Sequence, residues 1–103
     1  AGGDVNKEVN DRVTALFIAA EKGKEMVVRA LIESGADVNK ARDIGATPLY
    51  IAAQKGHEAV VRALIEAGAD VNTATGNGMT PLCFAAQKGH AAIVQILRDA
   101  GAV

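Results

Sequence analysis

The chain has no tryptophan, one cysteine, two prolines and only three aromatic rings: Phe17, Tyr50 and Phe84. A single thiol, Cys83, excludes an intrachain disulfide and any Cys-x-x-Cys redox or zinc site. It also leans towards a reducing compartment, so the expected location is intracellular, cytoplasmic or nuclear. No apolar run approaches the ~20 residues that a membrane span requires. The N-terminal stretch is polar and glycine-bearing, unlike a secretory signal. None of the five asparagines stands in an Asn-x-Ser/Thr context. An excess of charge of one sign is also lacking. Eleven basic and twelve acidic residues leave a formal net charge of −1, too little field to draw nucleic acid or an anionic membrane. No such partner is expected.

What is present is aliphatic and periodic. Half of the 103 residues are hydrophobic while aromatics make up 3%, so the core must be built from Ala, Val, Leu and Ile. Such side chains suit closely packed helices. Thr14-Ala-Leu-Phe-Ile-Ala-Ala returns 33 residues later from Thr47 as Thr-Pro-Leu-Tyr-Ile-Ala-Ala, and again from Thr80 as Thr-Pro-Leu-Cys-Phe-Ala-Ala. Gly35-Ala-Asp-Val-Asn39 returns from Gly68 to Asn72. A fixed period of this length is the mark of a stacked repeat array. The chain opens and closes at one phase of the period, as expected of a segment cut from a longer array.

Each period reads as two short helices. Thr47 is placed to cap a helix with Pro48 at its first position, where a missing N–H costs nothing. That helix reaches about Lys55 and stops at Gly56. A second helix after His57 carries Val60, Val61, Leu64 and Ile65 on a wide apolar face. Gly68 is placed to end it in the left-handed conformation. Gly76-Asn77-Gly78 is a turn. Helices of about 10 residues are not stable alone in water, so stacking on the neighbouring unit must supply their stability.

The pattern T-P-L-x-x-A-A-x-x-G-H followed by V-V-x-x-L-I-x-x-G-A-D-V-N resembles the ankyrin repeat, three times in phase across the whole chain. The resemblance implies an all-α solenoid of three stacked helix-turn-helix units with hairpin-like fingers, at approximately residues 6–38, 39–71 and 72–103. It also implies a non-catalytic module that binds a protein partner through the finger tips and the concave face of the first helices. The chain departs from the family at the place after T-P-L, where histidine is usual and Phe17, Tyr50 and Cys83 stand here. The hydrogen bond of that histidine is therefore absent or altered. Arg12 stands where the other units have Gly45 and Gly78, Ala15 replaces proline, and Val103 stands where aspartate is expected. Neither end shows the polar capping unit that arrays normally carry.

No constellation for catalysis, metal or cofactor binding emerges. His57 and His90 lie one repeat apart, roughly 10 Å by the usual helix-packing distance, too far to share a metal. They read as helix-start residues. The Gly76-Asn77-Gly78 turn lacks the Gly-Lys-Ser/Thr of a phosphate loop. Cys83 has no histidine in its unit placed to activate it, so it reads as a buried or half-buried filler. Glu25, Arg29 and Glu33, repeated as Glu58, Arg62 and Glu66, form a solvated ladder at helical spacing. Leu31 to Asn39 and Leu64 to Asn72 match a pattern read by an asparaginyl hydroxylase, but those residues also belong to the repeat's own consensus.

Three kinds of residue suit a binding surface. The fingers differ most between units, and Asp11, Val13, Asp43, Ile44, Asn77 and Met79 are the candidates there. Among the aromatics, which fit both packing and interface roles, Phe17 and Tyr50 are candidates, Tyr50 foremost. At the ends of the first helices, Gln54 and Gln87 precede a column of Lys22, Lys55 and Lys88, of which Lys55 and Lys88 are included. The column reads as cations at helix C-termini or as a basic rail facing an acidic partner. An alternative is a structural or engineered scaffold with no natural ligand, since the first two units differ at few places. Its apolar end faces, with Leu16, Val27 and Leu31 leading and Leu82, Ile93 and Leu97 trailing, then predict weak head-to-tail self-association.

Overall fold

The computed structural model describes residues 15–41 and 46–103. Six helical segments lie in that part: α1 (residues 15–21), α2 (Glu25–Glu33), α3 (Pro48–Lys55), α4 (Glu58–Glu66), α5 (Pro81–Gln87) and α6 (Ala91–Asp99). They pair as α1–α2, α3–α4 and α5–α6, each pair joined by a short turn. Contacts between α3 and α5 form an inner layer, and contacts of α2 with α4 and of α4 with α6 form an outer one. No strand occurs among the described residues.

The caps follow from the sequence. Thr47 and Thr80 are extended and accept the backbone N–H of Tyr50 and Cys83 through Oγ1, at 3.2 and 3.3 Å. Each thus satisfies one amide that the first helical turn leaves without a partner. Gly56 closes α3 at φ +82°, a left-handed conformation that costs a residue with a Cβ about 1–2 kcal/mol.

The core is a single cluster of small aliphatic side chains. Leu16, Ala20, Leu49, Ala52, Ala53, Val60, Val61, Leu64, Ala85, Ile93 and Leu97 are all buried, as the composition requires. Ile65 is partly buried on the edge of the α4 stripe. Burial at equivalent places changes along the stack. Leu49, Ala53 and Val61 are buried, while their counterparts in the third unit, Leu82, Ala86 and Val94, are partly or fully exposed. At the other end Val27 and Ala30 are exposed where Val60 and Ala63 are buried. The two end faces are therefore Leu82, Ala86 and Val94 at one end and Val27 and Ala30, with half-buried Leu31, at the other. Leu16, Ile93 and Leu97, expected on those faces, are buried inside their own units instead. Helical period alone did not separate the side turned to the partner helix from the side turned to the next unit.

Candidate functional site

Two sets of hydrogen bonds tie one helix pair to the next. The His57 ring reaches the carbonyl oxygen of Glu21 at 2.7 Å through Nε2, and His90 reaches that of Gln54 at 3.1 Å. A carbonyl only accepts, so Nε2 carries the proton in both rings. Each ring lies over the glycine that ends the preceding inner helix. A Cβ on Gly23 would come within 2.6 Å of the His57 ring, and one on Gly56 within 2.7 Å of His90. His57 and His90 thus do more than start a helix.

The second set runs along the finger side. The Asn39 side chain donates to the carbonyl of Gly68 at 3.2 Å and accepts the amide of Asp70 at 2.6 Å. Asn72 repeats this with the carbonyl of Gly101 and the amide of Val103, at 3.4 and 3.1 Å. The backbone N–H of Val103 serves in place of that of Asp70, so the missing aspartate side chain costs no bond between units. Asp37 and Asp70 each accept the amide of the asparagine two residues on, at 2.9 Å, which holds the turn that aims it.

On the outer layer, two arginines are paired with glutamates. Arg29 pairs with Glu25 in its own helix at 3.0 Å and with Glu66 in the next unit at 3.2 Å. The bond to Glu25, then that to Glu66, raises the guanidinium above its ordinary pKa. Arg62 pairs with Glu58 at 3.2 Å. The ladder is solvated, as its spacing indicates, and at Arg29 it also bridges two units.

The candidate binding residues divide. Asp11, Val13, Asp43 and Ile44 lie outside the described residues, as do Arg12 and Gly45. Phe17 is 7% exposed and belongs to the core, which corrects its assignment as a contact residue. Tyr50 is half-buried. Its ring meets Phe84 of the next unit edge-on, with centroids 4.6 Å apart and planes at 69°. That pair was not legible in the sequence, because the rings stand at neighbouring places of the period and meet only across the stack. Gln54 is half-buried, and Lys55, Gln87 and Lys88 are exposed. In the third finger, Thr75 and Met79 pair through the Thr75 N–H and the Met79 carbonyl at 2.8 Å, with Gly78 at φ +83° in the turn. Thr75 Oγ1 also bonds the side chain of exposed Asn77.

Cys83 is exposed, which corrects its reading as a filler. It begins the outward side of α5, where Thr80 donates to Sγ at 3.3 Å. That bond stabilises the thiolate and lowers the thiol below its usual pKa. Among the described residues no group of three or more His, Cys, Asp or Glu is placed to hold a metal ion, and no helix is long and apolar enough to cross a membrane.

The sequence matches the family model described as ankyrin repeats (3 copies), over residues 1–75 and again over residues 41–103. No curated protein matches the chain.

Proposed function

The chain belongs to the ankyrin-repeat family, whose members are generally protein-interaction modules, and from that premise we propose that it is a single three-unit binding domain without catalytic activity. Its partner lies across the finger tips and the inner-helix face. Tyr50, Gln54, Lys55, Asn77, Met79, Gln87 and Lys88 contribute from the described residues. Asp11, Val13, Asp43 and Ile44 contribute from the other finger positions. One observation carries the reading. The side chains that tie the units together, His57, His90, Asn39 and Asn72, spend their polar atoms inside the stack, and Arg29 and Arg62 of the outer layer pair with glutamates. The side chains of Gln54, Lys55, Gln87 and Lys88 have no hydrogen bond or ion pair among the described residues.

The test uses a partner selected from a displayed protein library. Tyr50→Ala and Met79→Ala should weaken its binding at least tenfold, while Arg29→Glu and Arg62→Glu leave it within twofold. The opposite ranking overturns the proposal.

A second reading, a scaffold that associates end to end, is favoured by the end faces. A Cβ on Gly89 would meet nothing within 4 Å, where Gly23 and Gly56 are covered by the next unit's histidine. The face of Leu82, Ala86 and Val94 matches in type the faces that pack inside the stack. A second copy docking there by its leading face, with Lys24 in the register of His57, makes a heterologous contact that propagates as an open stack. Sedimentation should then show concentration-dependent growth that Ala86→Arg and Val94→Glu abolish. A monomer at every concentration overturns this reading.

A further inference from the structure

We propose that the partner segment seated on the inner-helix face is an extended acidic stretch, with carboxylates at every third residue meeting Lys22, Lys55 and Lys88. This rests on the inner face being the binding face. The argument begins with where charge is left over. The chain is nearly neutral, at −1, but its charges are segregated. On the outer layer Arg29 and Arg62 are held by Glu25, Glu58 and Glu66. The inner helices carry one carboxylate, Glu21, among the described residues, and α3 and α5 carry none. An exposed lysine stands at or just past the end of each inner helix, at Lys22, Lys55 and Lys88, and none of the three has an ion-pair partner among the described residues. The inner edge is therefore a row of three uncompensated ammonium groups at one register position.

The spacing of the row selects the ligand's geometry. Stacked helices lie about 8–10 Å apart, and a segment in the extended polyproline II conformation has three residues per turn and advances about 3.1 Å per residue. Acidic side chains at i, i+3 and i+6 of such a segment fall on one side, about 9 Å apart, and therefore match the row. A cation at a helix C-terminus would relieve the helix dipole wherever its counterion came from, so helix stability alone accounts for lysine there but not for the lack of carboxylates on α3 and α5. Nucleic acid is the less suitable polyanion, because a row of three charges on a net-negative chain gives little of the field that phosphate binding draws on. The row is also graded: Glu21 precedes Lys22, whereas neutral Gln54 and Gln87 precede Lys55 and Lys88.

The test is fluorescence anisotropy with a labelled extended peptide bearing glutamate at i, i+3 and i+6. Its comparators are the all-glutamine version, a peptide of the same composition with the three glutamates adjacent, and a single-stranded oligonucleotide. The spaced glutamate peptide should bind tightest and weaken with added salt over the usual screening range. Lys55→Gln and Lys88→Gln should each cost about 1.5- to 5-fold, the range of exposed ion pairs, and Lys22→Gln less. Lys→Arg at all three should retain binding, and urea midpoints of the Lys→Gln variants should fall only by the small loss of one cation at a helix C-terminus. Equal binding of the glutamine peptide, insensitivity to the lysine substitutions, tighter binding of the oligonucleotide, or no binding of the spaced peptide overturns the proposal. The inner-face reading is scored separately: a library-selected partner weakened by Tyr50→Ala but indifferent to all three lysines leaves that reading standing and removes this one.

Discussion

Replacing Gly56 and Gly89 by alanine, one at a time, separates backbone strain from the histidine contact between units. Both glycines are left-handed, at φ +82° and +76°, so both substitutions carry the same strain, about 1–2 kcal/mol. Only Gly56 has a ring over it, with His90 Cε1 2.7 Å from where the new Cβ would stand, while Gly89 faces open space. At Gly56 the ring must move, and moving it breaks the bond from His90 Nε2 to the Gln54 carbonyl, itself worth about 0.5–1.5 kcal/mol. Gly56→Ala should therefore cost about 1.5–3.5 kcal/mol, with the excess over Gly89→Ala arising wholly from the displaced histidine. Urea denaturation followed by far-ultraviolet circular dichroism gives both values. A double-mutant cycle with His90→Ala isolates the coupling: in the His90→Ala background the two glycine substitutions should become equal. Equal costs with His90 present would refute the argument, because they would mean that the ring does not hold its place over Gly56.

Leu64 and Leu49 are fully buried, and truncation of either to alanine should lower stability by about 2–5 kcal/mol; an unchanged urea midpoint would reject the burial. Asn39→Ala removes both bonds from the Asn39 side chain to the next unit and should cost about 1–2 kcal/mol, reduced from the sum of two bonds because the site is exposed; a loss no larger than that of an exposed surface substitution would show that the bonds to Gly68 and Asp70 contribute nothing. Cys83 should be alkylated by iodoacetamide with a pH midpoint below that of an ordinary thiol, since Thr80 lowers its pKa, and Thr80→Val should shift that midpoint upward; no shift would place the cause elsewhere.

Much of the fold was legible in the order of residues because its determinants are local. Thr47-Pro48 and Gly56 bound α3 through capping, a fixed proline φ and a left-handed stop, all within a few residues. The site was legible only in part. Phe17, Tyr50 and Cys83 share one place in the period, yet the first is buried, the second half-buried and the third exposed. Nothing near each residue in the chain distinguishes them, since exposure there depends on what the adjacent unit lays over the place. Leu16, Ile93 and Leu97 were misassigned to the end faces because helical period does not separate the side turned to the partner helix from the side turned to the next unit.

The sequence by itself determined the period, the helix starts and stops, the aliphatic core and the family, because each is written within one 33-residue unit and then repeated. The tertiary structure decided what crosses from unit to unit. It placed His57 over Gly23 and His90 over Gly56, set Asn39 against Gly68 and Asp70, paired Tyr50 with Phe84, and joined Arg29 to Glu66. These partners lie roughly one period apart, and a repeating pattern specifies that neighbours meet without specifying which atoms do. That choice is made by the close packing of small side chains, which brings the helices near enough for polar groups at their ends to pair across the stack and leaves the lysines at the inner edge facing outward.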